Sequence, residues 1–184
     1  MRSDVLQIRQ ATVQDASNIA PLIYDAIGDI ANRLTNEPTV DRAIDGIRTL
    51  IEQTNNRHTY LNTYVAEEND QLLGVIVLYD GATGNQLDAQ HARAYNIKID
   101  VEAHDDEYYI DTVCVHPSAR GQGIGTKLLQ FAEAEGRAKG YSKLSLNVEL
   151  EKLKAKKLYE RMGFVVTEPW TIIGEPFHHM VKEI

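Results

Sequence analysis

The sequence contains a single cysteine, Cys114, and this scarcity excludes two kinds of stabilisation. One cysteine cannot form a disulfide within the chain, and it cannot supply a zinc site built from four cysteines. Long apolar runs are also lacking, so no segment is predicted to span a membrane. Residues 1–6 have no apolar stretch of the kind that a signal peptide needs, and we therefore expect a cytoplasmic protein.

The chain has fewer basic residues than acidic ones. The chain has 19 lysines and arginines against 27 aspartates and glutamates, a formal net charge of -8. Because a nucleic-acid backbone attracts a basic surface, this balance argues against nucleic-acid binding and suits a cationic or neutral substrate. With 184 residues, 43% of them hydrophobic, the chain is long enough for one core and short for two. We expect one α/β domain over residues 1–184.

Apolar spacing in the first half predicts a strand, two helices and a hairpin. Leu6 and Ile8 alternate with polar neighbours, as in a short strand. Apolar residues then recur at helical spacing, and Pro21 is tolerated there only near the first turn, which favours a start at Ala16 or later. The predicted elements of this half are a strand at 6–8, helices over 19–30 and 44–51, and hairpin strands at 59–67 and 72–79.

The second half alternates strands with helices after an irregular beginning. Residues 80–106 follow no clear period and predict a long irregular connection, with a short helix around 89–94. Such a segment is either a substrate-side loop or a plain surface insertion. Residues 108–115 are apolar on both faces, which predicts a central strand. The remaining predicted elements are helices over 126–139 and 155–162 and strands at 144–148, 164–167 and 177–182.

The most informative segment runs from Val115 to Thr126. Its three glycines within five residues let the backbone approach a ligand, and the following helix presents unpaired N–H groups at the positive end of its dipole. Arg120 adds a positive charge suited to a pyrophosphate. An ordinary glycine-rich turn is the alternative. A dinucleotide-binding motif would need glycine at Thr126, and a P-loop would need Gly-Lys-Ser/Thr, so neither fits.

The chain resembles the GNAT superfamily of N-acetyltransferases in two motifs. Members carry R/Q-x-x-G-x-G/A, here Arg120, Gly123 and Gly125, usually preceded by V-x-P, here Val115 and Pro117. A second motif, A-x-x-L-Y-E-x-x-G-F, is matched by Ala155, Leu158, Tyr159, Glu160, Gly163 and Phe164. The resemblance implies an α/β (α+β) fold with a mixed, mostly antiparallel central sheet of six to seven strands and helices on both faces.

The resemblance also implies a reaction. A primary amine of a small molecule or peptide attacks the thioester of acetyl-CoA directly, and the backbone N–H of Val115 stabilises the developing oxyanion. Tyr159 corresponds to the tyrosine that protonates the departing thiolate, although its place on an apolar helix face also suits a core residue. Lys152 replaces an asparagine that often bonds the co-substrate. The implied acetyl-CoA contacts are Val113, Val115, Arg120, Gly121, Gln122, Gly123, Ile124, Gly125, Thr126, Lys152 and Tyr159.

A base must also take a proton from the ammonium group. We expect Asp111 to share a strand face with Val113 and Val115, and an isolated carboxylate among apolar neighbours tends to have a raised pKa. Asp111 is therefore the first choice, with pairing to a nearby cation as the alternative. Glu107, acting through a water, is the second candidate. Together with the acidic balance of the chain, the carboxylates that cluster before the glycine loop favour a cationic amine; they are Asp105, Asp106, Glu107 and Asp111.

Two further expectations concern metals and function. His178 and His179 are adjacent and thus point to opposite faces of a strand, so no metal site is predicted. A non-catalytic acyl-CoA-binding sensor or interaction module is the alternative function. The predicted partners are acetyl-CoA and an amine, without nucleic acid or membrane, and a homodimer is left open.

Overall fold

A seven-stranded sheet forms the centre of the molecule in a computed structural model that describes residues 5–184. Part of the segment used above to judge a signal peptide, residues 1–4, lies outside the described residues. The strands are β1 Gln7–Gln10, β2 Thr63–Glu68, β3 Gln71–Asp80, β4 Tyr108–Val115, β5 Lys143–Glu149, β6 Val165–Ile172 and β7 Glu175–Glu183. They lie in the order β1-β2-β3-β4-β5-β7-β6. Only β4 and β5 pair in parallel, so the predicted mixed, mostly antiparallel sheet is confirmed.

Helices cover both faces of this sheet, as predicted. The helices are α1 Ala16–Ile27, α2 Asp29–Thr35, α3 Val40–Glu52, α4 Gly81–Tyr95, α5 Ile124–Ala138 and α6 Leu153–Arg161. On one face, Ile19 and Ile47 pack against Val75 in a core built with α1 and α3. On the other face, Leu128 of α5 packs against Ile76. In the described part of the chain no helix is both long and apolar enough to cross a membrane.

Three details of the first half differ from the prediction. The helix expected over 19–30 ends at Ile27, because Gly28 adopts φ 55° and ψ -129°, and α2 starts after it. Pro21 lies inside α1 beyond its first turn, where it removes one backbone hydrogen bond of the helix. Strand β2 begins at Thr63 rather than at 59, because residues 60–62 form a short 3-10 helix.

The prediction of an irregular connection over 80–106 is wrong, since its first half is the 15-residue helix α4. Asp80 caps this helix by accepting a hydrogen bond from the backbone N–H of Thr83 at 2.8 Å, and Asn96 ends it in a left-handed conformation. Its buried positions follow helical spacing, but they are occupied by Gly81, Gly84, Asp88 and His91. Because none of these is a typical core residue, a search for apolar periodicity could not find the helix.

Strands β4 and β5 separate partway along their length. They pair only where Tyr108–Ile110 lie beside Leu144–Leu146. Beyond that point β4 continues on β3, and β5 continues on β7. A wedge-shaped opening therefore divides the middle of the sheet.

A bulge in β4 lies at the start of this opening. Val77 pairs with Thr112 and Leu78 pairs with Ile110, which leaves Asp111 as an extra residue. The bulge changes the alternation of side chains along β4. Val113 and Val115 pack on the α5 face, whereas Asp111 contacts Tyr79 on the opposite face. The expectation that Asp111 shares a face with the two valines is therefore wrong.

Candidate active site

The opening between β4 and β5 leads into a cavity of about 130 Å³. Residues 110–113 and 146–149 form its two strand walls. Tyr159 of α6 lies at the cavity from one face of the sheet, and Arg57 and Glu102 line it from the other. Further lining residues are Ala26, Ile27, Ile30, His58, Tyr109, Lys152, Ala155, Ile172 and Phe177. The cavity thus connects groups that lie on opposite sides of the sheet.

The backbone of β4 presents hydrogen-bond donors to the opening. The N–H of His116 donates to the carbonyl of Leu73 on β3 at 2.8 Å. Because residues of an antiparallel ladder alternate in direction, the N–H groups of Val115 and Val113 point away from β3. On that side the pairing with β5 has already ended. These two amides therefore face the opening, next to the cavity.

The glycine loop ends at the free N-terminus of α5. Gly121 and Gly123 have φ values of 76° and 78°, which glycine adopts without strain. Gly123 is the N-cap and has no side-chain oxygen to cap the helix. The N–H of Lys127 makes the first helical bond, to the carbonyl of Gly123 at 3.1 Å. The amides of residues 124–126 are thus left to bind an anion, and the exposed Arg120 lies beside them along the chain.

Tyr159 is held in α6 with its ring half-buried. The ring packs edge-on against Phe164, with a centroid distance of 6.1 Å, and Tyr159 lines the cavity. Burial raises the pKa of Tyr159 above its ordinary value of about 10. The phenol is therefore protonated at neutral pH and able to donate a proton or a hydrogen bond.

Asp111 lies in a polar environment rather than among apolar neighbours. Its carboxylate accepts hydrogen bonds from the hydroxyls of Tyr79 at 2.5 Å and Thr112 at 2.7 Å, and lies 3.4 Å from Nε of Arg57. Burial works to raise the pKa of Asp111, but Arg57 and these hydrogen bonds outweigh it and lower the pKa to about 2. The predicted raised pKa is wrong, and the pairing with a cation that the sequence left open is present.

Three carboxylates surround the buried guanidinium of Arg57. Nη1 lies 3.1 Å from Asp88 and in contact with Glu102, and Nε faces Asp111. We call these four residues the Arg57 cluster. Burial raises the pKa of Asp88 to about 6, and burial raises the pKa of Glu102 well above its ordinary value although Arg57 opposes this. The cluster therefore holds both ionised and protonation-prone carboxyl groups at neutral pH.

Glu107 lies away from the cavity, immediately before the first residue of β4, where that strand pairs with β5. It is not among the residues that line the cavity in the described part of the chain. Its carboxylate accepts a hydrogen bond from Nε2 of His179 at 2.9 Å. Burial works to raise the pKa of Glu107, but this hydrogen bond, the attraction of His179 and the backbone N–H of His104 together outweigh it and lower the pKa. The structure thus separates Glu107 from Asp111 and Tyr159.

His104, Glu168 and His179 place possible metal-ligating atoms within 4.8 Å of one another. In this structure the side chains are paired directly, His104 with Glu168 and His179 with Glu107. Nδ1 of His179 also lies 2.6 Å from the side-chain oxygen of Asn147. Both ring nitrogens of His179 are therefore already engaged by protein oxygens.

Comparison with known proteins decides the family of the chain. A sequence model described as the Acetyltransferase (GNAT) family matches residues 27–164. The chain belongs to the GNAT acetyltransferase family. Acetyl transfer is its activity, and acetyl-CoA is its co-substrate. The family assignment from the two motifs is thereby confirmed.

Individual relatives of this acetyltransferase agree with the family. It is 26% identical over 166 residues to the aminoalkylphosphonate N-acetyltransferase of Salmonella typhimurium, covering 89% of each chain. It is 37% identical over 60 residues to GCN5-related N-acetyltransferase 6, chloroplastic, of Arabidopsis thaliana, which covers 33% of this chain and only 21% of that protein. The crystal structure of an N-acetyltransferase from Staphylococcus aureus Mu50 superposes with a TM-score of 0.82 at 28% identity, over 95% of this chain and 99% of that one.

The acetyltransferase has the features that a bound acetyl-CoA needs. A diphosphate requires N–H donors, which the start of α5 offers, and the thioester arm requires a gap in the sheet, which the divergence of β4 and β5 provides. Lys152, at the N-cap of α6, also lines the cavity, and its Nζ lies 3.3 Å from the carboxylate of Glu149. The lysine therefore lines the cavity but already has an acidic partner.

Four polar residues near the cavity were not found from the sequence of this acetyltransferase. They are Arg57, His58, Asp88 and Glu102. Arg57 lies 31 residues from Asp88 and 45 residues from Glu102 along the chain. No local spacing can reveal a pairing over such distances. The one available signal in the sequence was the pair Arg57 and His58 just before an apolar strand. A solvated turn explains that pair equally well.

Proposed function

We propose that this acetyltransferase moves an acetyl group from acetyl-CoA to the primary amine of a cationic small molecule or peptide, by direct attack in the cavity. One observation carries the proposal. The opening between β4 and β5 joins Tyr159 on one side of the sheet to the carboxylates around Arg57 on the other. A thioester and an amine entering from opposite sides would meet there, and such positioning supplies a large part of catalysis.

The co-substrate would be held by backbone donors. In this proposal the amides of residues 121–126 and the side chain of Arg120 bind the diphosphate, and the amides of Val113 and Val115 face the thioester arm. The amide of Val115 stabilises negative charge on the carbonyl oxygen during attack. Tyr159 donates a proton to the departing sulfur. The positive-φ glycines and the uncapped helix start support the first part, and the raised pKa of Tyr159 supports the last.

A cationic amine suits the charges around the cavity. The Arg57 cluster sets three carboxylates against one guanidinium. A neighbouring cavity of about 300 Å³ shares Ile27 and Ile30 with the first one, and four acidic residues but a single arginine line it: Asp29, Glu149, Glu151, Glu175 and Arg33. The Salmonella relative is named for an aminoalkylphosphonate, so its name agrees with the amine group of the proposed substrate and not with its cationic charge.

A screen of amines tests this function. Thermal shift with acetyl-CoA comes first, followed by thiol release with diamines, polyamines, aminoglycosides and basic peptides, beside neutral and acidic amines. We expect stabilisation by acetyl-CoA and turnover with cationic amines. Turnover with neutral or acidic amines alone would contradict the cationic substrate. Tight binding without thiol release for any amine would favour the sensor function instead.

Replacing Arg120 with alanine is expected to weaken acetyl-CoA binding about tenfold and to leave kcat nearly unchanged. The reason is the loss of a charged hydrogen bond to a phosphate, which is worth about 1.5–3 kcal/mol and somewhat less at an exposed position. Calorimetric titration of acetyl-CoA measures the effect. Arg93→Ala is the control, because Arg93 is also exposed but lies on α4. This variant should bind acetyl-CoA with the affinity of the wild type. Equal affinity of the Arg120 variant and the wild type would refute our location of the diphosphate.

A further inference from the structure

Glu102 and Asp111 form a carboxyl pair at the wall of the cavity. Both side chains contact Arg57, both line the cavity, and the interaction with Asp111 works to raise the pKa of Glu102. Their side-chain exposures are 12% and 6%. Glu102 comes from the segment between α4 and β4, and Asp111 is the bulge residue of β4. The bulge thus turns Asp111 toward Glu102 and away from the face of Val113.

The charges around this pair require a shared proton. With all three carboxylates ionised, the cluster would bury two uncompensated negative charges beside one guanidinium, which costs much free energy. Two carboxyls that share one guanidinium repel each other when both are ionised, so the pair titrates as a unit. Burial raises the pKa of Glu102, while Arg57 and hydrogen bonds hold the pKa of Asp111 low. The proton therefore resides on Glu102.

The other titratable groups that face the pair come from four elements. Burial lowers the pKa of His58, before β2, to about 4 and raises the pKa values of Tyr79 on β3 and Tyr109 on β4, so these three are neutral at pH 7. The two charged groups near the pair are Arg57, from the same segment as His58, and Asp88, from α4. A cation entering the cavity is thus the group that would let the pair release its proton.

His58 gives an independent sign of a ligand. It is 2% exposed and lines the same cavity. Its Nε2 accepts a hydrogen bond from Nε of Arg57 at 3.3 Å, which places the ring proton on Nδ1. Among the described residues Nδ1 has no hydrogen-bond partner. Because a buried donor without a partner is costly, a bound molecule with an oxygen or nitrogen acceptor near its amine would satisfy it.

We propose that Glu102, paired with Asp111, is the catalytic base that takes the proton from the ammonium group of the substrate. The inference rests on the proposed function. When the ammonium binds, the pair loses its shared proton to solvent, because the cation compensates the second negative charge. An N–H bond of the ammonium then breaks and an O–H bond forms on Glu102.

The other bond changes take place when the free amine attacks the thioester. The freed lone pair forms the N–C bond, and the C–S bond breaks. Tyr159 protonates the sulfur and is restored by the second proton of the amine. Glu102 keeps the proton taken from the ammonium and so returns to its resting protonated state, and the proton released to solvent is the one lost when the ammonium bound. The net change is one ammonium and one thioester converted to one amide, one thiol and one released proton.

The test compares pH profiles of kcat/KM for the wild type and Glu102→Gln, with a diamine that the wild type turns over. The kcat/KM of the wild type should rise as the pH passes the pKa of the pair and fall above the pKa of the amine, because the wild type uses the ammonium form of the substrate. Glu102→Gln should lose about 100-fold or more at neutral pH, a typical contribution of a general base. Its profile should keep rising up to the pKa of the amine, because it must capture the neutral amine from solution.

Asp88→Asn is the matched control, since Asp88 also pairs with Arg57 but does not line the cavity. Removing its negative charge should lower the pKa of Glu102, so the rising limb should move to lower pH and persist. Melting temperature and acetyl-CoA affinity verify that each variant is folded. A Glu102→Gln variant with the wild-type profile would overturn the inference alone, whereas a wild type that acetylates no amine would overturn the proposed function.

Discussion

Replacing Arg57 with methionine is expected to lower the free energy of unfolding by about 3–5 kcal/mol, the typical cost of removing one partner from a buried ion pair. Arg57 is 7% exposed and is the common partner of Asp88, Glu102 and Asp111. Methionine preserves much of the volume but leaves three buried carboxyl groups without a cation. Chemical denaturation at neutral pH measures the loss.

The loss should depend on pH. Without Arg57 the folded-state pKa values of the three carboxyls lie above their unfolded values, so the penalty grows as pH rises through the folded values and disappears below the unfolded ones. The difference between Arg57→Met and wild type should therefore shrink in acid. Arg48→Met is the control, because Arg48 pairs with Asp45 and Glu52 at the surface, and it should cost about 0.5 kcal/mol or less. Equal losses for the two variants would mean that the cluster is not buried as described.

Tyr159→Phe is expected to reduce kcat about 100-fold while acetyl-CoA affinity changes less than about twofold. The phenylalanine keeps the packing against Phe164 but cannot give a proton to the departing thiolate, and general acids typically contribute at least this factor. Steady-state thiol release gives kcat, and calorimetry gives the affinity.

Tyr141→Phe serves as the control for this change. Tyr141 stacks on Tyr108 and donates to Asp80, and it does not line the cavity in the described part of the chain. Its removal should leave kcat within about twofold. If Tyr159→Phe turned over as fast as Tyr141→Phe, Tyr159 would be a packing residue, as its apolar helix face also allows.

The parts of the site that could be predicted from sequence are those held together by local geometry. The glycine loop before α5 depends on residues close together along the chain, and Gly121 and Gly123 adopt positive φ values that glycine accepts without strain. Tyr159 was expected from the resemblance to the second motif of the family, and it lines the cavity. The pattern of apolar strands and helices likewise predicted the sheet with covered faces, because burial imposes its period directly on the sequence.

The other half of the site could not be predicted, because it depends on long-range packing. Only a short helix around 89–94 was predicted within α4, since Gly84 and Asp88 occupy the buried face of its first half, and it is this helix that brings Asp88 to Arg57. The face of Asp111 depends on a single bulge, and strand alternation read from the sequence assigns it to the wrong side. A carboxylate that seemed isolated is therefore part of an ionic cluster.

The most direct test of the account is a crystal structure of the protein with coenzyme A. We predict the diphosphate on the backbone amides at the start of α5 and the thiol arm between β4 and β5, next to Val113, with its sulfur near Tyr159. Coenzyme A bound elsewhere on the surface, or strands β4 and β5 paired along their full length, would contradict the account.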